Sequence, residues 1–118
     1  MTIAPMPAVT DLSPVKLRRE LHLSRERMAR LLDVSAKTVE RWETRDAPPA
    51  SRATRERLAQ IAELTSLGKL VYSPAGFDLF LATPMPVFGG KTALQLIEIG
   101  EIARVMSAIV QDYEGLGS

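Results

Sequence analysis

From residue 14 onward, apolar positions recur at intervals of three and four, and no stretch alternates as a half-buried strand must. The pattern predicts an all-α chain. Ser13-Pro14 opens a first helix over roughly 14–21, with a capping hydroxyl and a proline where its missing N–H costs nothing. Val15, Leu17 or Leu21 face inward there. Ser24 caps a second helix of about 25–32, whose apolar side carries Met28, Ala29, Leu31 and Leu32. Asp33-Val34-Ser35 is a turn, and Ser35 caps a third helix that reaches about Glu43. Pro48 and Pro49 break the chain. Ser51 then caps a fourth helix in which Leu58, Ile61, Ala62, Thr65 and Leu67 share a side, with Gly68 expected to end it.

The second half follows different rules. Ser73-Pro74 repeats the cap-plus-proline start and leads into a short apolar helix, 75–81. Thr83-Pro84-Met85-Pro86 stops it, because each proline pushes its predecessor toward extended geometry. Val87-Phe88-Gly89-Gly90 reads as a loop whose glycines allow backbone angles closed to other residues. A helix of about 92–99 follows, Gly100 ends it, and a last helix spans about 101–114. Along that helix Ile102, Val105, Met106, Ile109, Val110 and Tyr113 form one stripe. The expected organisation is a flexible N-terminal tail (1–12), a first helical bundle (13–68) and a second small helical domain (69–118).

Charge changes this picture more than composition does. The chain carries a net +1, but residues 1–68 hold twelve Lys/Arg against nine Asp/Glu, a balance of +3, and residues 69–118 hold three against five, or −2. A basic half followed by an acidic half is a usable asymmetry, with chance and solvated helix faces as the plain alternative. There is no cysteine, which excludes a disulfide scaffold and a thiolate zinc site and fits a reducing cytoplasm. The first ten residues lack a basic start, and prolines interrupt them, so no signal peptide is expected. No apolar run approaches the ~18 residues of a membrane span.

Residues 23–43 have the form of a helix-turn-helix reader of double-stranded DNA, whose second helix lies in the major groove with its early residues at base edges. Ser35 and Thr38 supply hydroxyls, and Lys37 and Arg41 supply cations long enough for guanine acceptors or phosphates. Arg25, at the positive end of the preceding helix, suits a phosphate contact. Arg27, Arg30 and Arg45 are weaker candidates for the same role. Ala29, Val34 and Val39 should set the angle between the two helices, Trp42 should be a core or hinge residue, and Glu40 and Glu43 should pair with neighbours such as Arg41 or Arg45.

Ser24, Ala29, Leu32, Val34, Ser35, Thr38-Val39, Trp42 and Glu43 together resemble the Xre/Cro-type helix-turn-helix family over about residues 15–64. One departure is Asp33, where that family usually has glycine; aspartate tolerates left-handed geometry better than most residues. In the second half, Thr83-Pro84, Gly89-Gly90-Lys91-Thr92, Gly100-Glu101 and Arg104-Val105 resemble the C-terminal toxin-binding domain of the Xre/MbcA/ParS antitoxins, over about 77–115. Met85, Phe88 and Ala93 stand where Asn, Leu and Pro are common.

The resemblance implies the antitoxin of a type II toxin–antitoxin module, a dimer that represses its own operon and covers the active-site entrance of a RES-domain toxin that consumes NAD. It carries the expected toxin contacts onto Phe88, Gly89, Gly90, Arg104, Tyr113, Glu114, Gly115 and Leu116. The alternative is a stand-alone Xre-type repressor whose second half only dimerises or binds a small effector. Gly89-Gly90-Lys91-Thr92 is not a phosphate-binding loop, since position 85, where that signature needs glycine, is Met. An enzyme is not expected: with no cysteine and a single histidine, His22, neither a nucleophilic triad nor a typical transition-metal site can be built, and no cofactor is implied.

Overall fold

Among the described residues six hydroxyl side chains start helices, and their positions explain most of the architecture. Ser13, Ser24, Ser51 and Ser73 each accept a hydrogen bond from the amide three residues on, as Ser35 does from Thr38 at 3.1 Å. Thr92 forms a reciprocal cap, its hydroxyl accepting from the Gln95 backbone amide while the Gln95 side-chain Oε1 accepts from the Thr92 amide. Each such cap contributes about 1 kcal/mol. The computed structural model describes residues 13–116 except 46 and 48, with the side chain of Leu116 also left aside; the expected tail, 1–12, lies outside the described residues.

The described residues form seven α-helices: α1 (Pro14–Glu20), α2 (Arg25–Leu32), α3 (Ala36–Arg45), α4 (Arg52–Val71), α5 (Pro74–Ala82), α6 (Ala93–Glu98) and α7 (Ile102–Leu116), with a 3-10 turn over Pro86–Phe88. There is no strand among the described residues, so the all-α expectation holds. The helix α2 packs on α3, α4 lies along α7, and α6 touches α2, α5 and α7. One apolar core runs through both halves of the sequence, from Leu17 and Met28 through Leu58 and Ile61 to Phe77, Leu96, Val105 and Ile109. Tyr72, Phe77 and Phe80 stack face to face beside it, and Phe88 meets Phe80 edge-on at 6.2 Å.

Two expectations about element ends need correction. Gly68 does not terminate α4, which continues to Val71 and stops at the extended Tyr72, just before Ser73-Pro74. The glycine serves close packing instead, since a Cβ there would lie 2.2 Å from Cε1 of Phe77. The stripe on α7 is also divided. Val105 and Ile109 are fully buried and Ile102 and Met106 partly so, whereas Val110 and Tyr113 are exposed because the last turns of α7 leave the core.

Alanine in place of a mid-helix glycine normally stabilises a helix by about 1 kcal/mol. Here the buried ring of Phe77 reverses the sign. Gly68→Ala should cost about 1–3 kcal/mol, the range for overpacking a tight core, read as a lower urea midpoint at unchanged slope.

Candidate functional site

The helix α2 ends at Asp33 in the left-handed region, with φ 57° and ψ 48°, and the Val34 amide returns to the Ala29 carbonyl at 3.0 Å. This bend, unusual for a residue other than glycine, turns the chain directly into α3. Val39 is fully buried and Trp42 half-buried against the core. The opposite side of α3 exposes Lys37, Glu40 and Arg41, with Thr38 partly covered and Arg45 exposed at the end. Among the described residues, Lys37, Arg41 and Arg45 have no ion-pair partner. The Ser35 and Thr38 hydroxyls bond to each other at 2.8 Å, so both work first as the start of α3.

Glu43 departs from expectation. It pairs with neither Arg41 nor Arg45, because it sits on the inner side of α3, four residues after the buried Val39. Its side chain is only 5 % exposed. Arg18 of α1 donates to it from Nε at 2.8 Å and Nη2 at 2.9 Å, and Arg25 of α2 donates from Nε at 3.1 Å. The Arg18 hydrogen bonds hold the Glu43 carboxyl below its ordinary value; burial opposes this and Arg25 adds to it. Arg18 is pushed up in turn by the same bond, and its Nη1 also donates to the Leu23 carbonyl. Sequence reasoning missed Arg18 because its partner lies 25 residues away and no local spacing joins them.

Arg27 and Arg30 are not aimed as the sequence suggested. Their Nε atoms lie 2.9 Å and 3.3 Å from Glu98 at the end of α6, which directs them toward the second half. His22 is exposed, also has positive φ, and lies 3.2 Å from Asp78 of α5.

In the second half, the turn between α5 and α6 is closed by its own backbone. The Met85 amide donates to the Lys91 carbonyl and the Gly90 amide to the Met85 carbonyl, at 3.1 and 3.0 Å. Gly89 and Gly90 have φ of 64° and 84° and are exposed, with open space where a Cβ would go, so the backbone angle is what requires glycine. Phe88 is 2 % exposed. Its side chain is therefore core and unavailable to a partner, because the 3-10 turn tucks it beneath the loop. Arg104 is exposed, pairs with Glu101 at 2.9 Å and donates to the Val87 carbonyl at 3.2 Å.

Arg104, Val87, Ser107 and Gln111 border an open groove of about 300 Å3. Tyr113, Glu114 and Gly115 are exposed farther along α7; nine residues from Arg104 to Tyr113 amount to roughly 14 Å of helical rise. The structure thus separates the expected partner contacts into a loop-side group and a tip. The Tyr72 hydroxyl donates to Asp112 and ties that tip to the end of α4, while burial, and then this carboxylate, push the phenol up. Among the described residues, no three His, Cys, Asp or Glu could share a metal ion, and no helix is long and apolar enough to cross a membrane.

No family model matches the sequence, and no curated protein matches it. Among solved structures, one chain in the crystal structure of the M. tuberculosis MbcT–MbcA toxin–antitoxin complex superposes with a TM-score of 0.70 at 22 % identity, covering 87 % of this chain and 92 % of that one. The two chains share a fold across nearly their whole lengths.

The direction of the Glu43 shift fixes a pH dependence. A carboxyl held below its ordinary value of 4.5 in the folded chain binds fewer protons there than when unfolded. Its contribution is complete above that value and is lost as pH falls through its folded pKa. Urea midpoints should therefore drop on acidification below 4.5, and Glu43→Gln should show a smaller drop from an already lower neutral midpoint.

Proposed function

We propose that this chain is the antitoxin of a type II toxin–antitoxin module, acting in the cytoplasm as a dimer or in a larger assembly with its toxin. The observation that carries this reading is the fold shared over 87 % of the chain with one chain of a toxin–antitoxin complex. In this proposal residues 69–118 hold the toxin, an NAD-consuming RES-domain enzyme, through the Gly89-Gly90 loop, Arg104 and the α7 tip at Tyr113, Glu114, Gly115 and Leu116. Phe88 contributes only by supporting the loop from within. The exposed apolar side chains Val87, Val110 and Tyr113 support a partner on this side of the molecule.

The first half addresses the module to its own promoter. The helix α3 would enter the major groove, with Lys37 and Arg41 reaching bases or phosphates from its outer side and Ser35, Thr38, Arg25 and Arg45 beside them. The exposure of Lys37, Arg41 and Arg45 with no acidic partner among the described residues supports this role, since a groove reader presents uncompensated cations, while Arg25 shares Glu43 with Arg18.

Co-expression with the product of the adjacent gene should give a stable complex and relieve that product's toxicity. If co-expression gave neither, the stand-alone repressor would be the reading that remains. Lys37→Ala and Arg41→Ala should each weaken binding to the chain's own promoter by about 1–3 kcal/mol if they read bases, measured by fluorescence anisotropy. Unchanged binding in both would remove α3 as the reading helix.

A further inference from the structure

A buried carboxylate beneath a proposed DNA-binding face calls for a cause, because an anion there opposes phosphate. Glu43 holds two guanidinium groups, and it holds them differently. Arg18 gives Nε and Nη2 to the carboxylate and Nη1 to the Leu23 carbonyl, so all its nitrogens are engaged. Arg25 gives Nε alone, at 3.1 Å; its side chain is 43 % exposed. Among the described residues the two Nη atoms of Arg25 have no partner. A guanidinium is planar, so fixing Nε–H toward Glu43 leaves the Nη1–Nη2 edge directed away from the carboxylate. That edge matches two phosphate oxygens at once.

Position and charge agree with this geometry. Arg25 is the first residue of α2, where the positive end of the helix adds to its own charge. Its bond to Glu43 holds it beside the last turns of α3. One carboxylate against two guanidinium groups leaves a single surplus positive charge, carried by the arginine with the exposed edge.

We propose that Glu43 is a positioning residue, which grips Arg25 by Nε so that its Nη1–Nη2 edge takes a backbone phosphate of bound DNA in a bidentate contact. The proposal rests on the DNA-binding role of the first half. It differs from a plain structural ion pair in one way: the shape of the cation at position 25 matters, and not its charge alone. A lysine there has one ammonium group, which Glu43 would draw inward with no second edge left for phosphate.

The test measures binding to a short random-sequence DNA duplex across a salt series, which reads phosphate contacts without knowledge of the operator. Arg25→Ala should weaken binding about tenfold, the lower end for a charge-assisted hydrogen bond, and reduce the salt slope by about 1. Arg25→Lys should match Arg25→Ala within a few-fold, and because it leaves the Arg18–Glu43 pair in place, folding is not in question. Glu43→Gln should lower the slope in the wild-type background and leave it unmoved in the Arg25→Ala background. If Arg25→Lys bound like the wild type, charge alone would suffice and the positioning role would be wrong. Wild-type binding by Arg25→Ala would remove the phosphate contact itself. Absence of binding by the wild-type chain to this duplex and to its own upstream promoter would instead overturn the DNA-binding role, and this proposal with it.

Discussion

The C-terminal carbonyls of two helices meet on one guanidinium, and the arrangement of the molecule depends on that meeting. Arg57 of α4 donates to the Leu31 carbonyl at the end of α2 and to the Ile97 and Glu98 carbonyls at the end of α6. Helix ends leave carbonyls without intrahelical partners, and a cation is the partner they favour. Because α2 belongs to the first half of the sequence and α6 to the second, this arginine fixes one half against the other. Glu98 adds to the joint from the same helix end by pairing with Arg27 and Arg30.

The position of α3 follows from that joint. The turn at Asp33 begins one residue after α2 ends, and the inner side of α3 is held by Val39, Trp42 and the Glu43 ion pairs. Displacing α6 would pull on the end of α2, and α2 carries the turn from which α3 starts. Under the proposed function, with a protein partner on one half and DNA on the other, such a joint would give each event a mechanical route to the other. The shared apolar core makes the halves respond together rather than hinge freely.

Much of this was legible in the sequence because it is written locally. The serine and threonine caps lie three residues from the amides they accept, and the apolar spacing marks each buried side, so every helix was anticipated within a few residues. The turn at Asp33 was anticipated by its place between two capped helices. What could not be read depends on partners far along the chain. Nothing near Gly68 reveals the Phe77 ring that fills its missing side chain. Glu43 has arginines close by in sequence, yet the inner side of α3 delivers it to Arg18 and Arg25. The resemblance makes Phe88 a toxin contact in a loop, whereas three-residue winding drops its ring into the core. The exposed end of α7 is another such case, since a continuous apolar stripe does not say where its covering helices stop.

The loop from Met85 to Lys91 has a consequence for any partner that reads it. Its amides at positions 85, 88, 89, 90 and 91 all donate to carbonyls within the same few residues, and two glycines hold angles that no other residue adopts as readily. Its shape is thus set when the chain folds. A surface that needs no ordering on contact forfeits little entropy when it is gripped, so it can be held tightly over a small area. The loop is a key cut in advance, and adaptation to different locks falls to the partner.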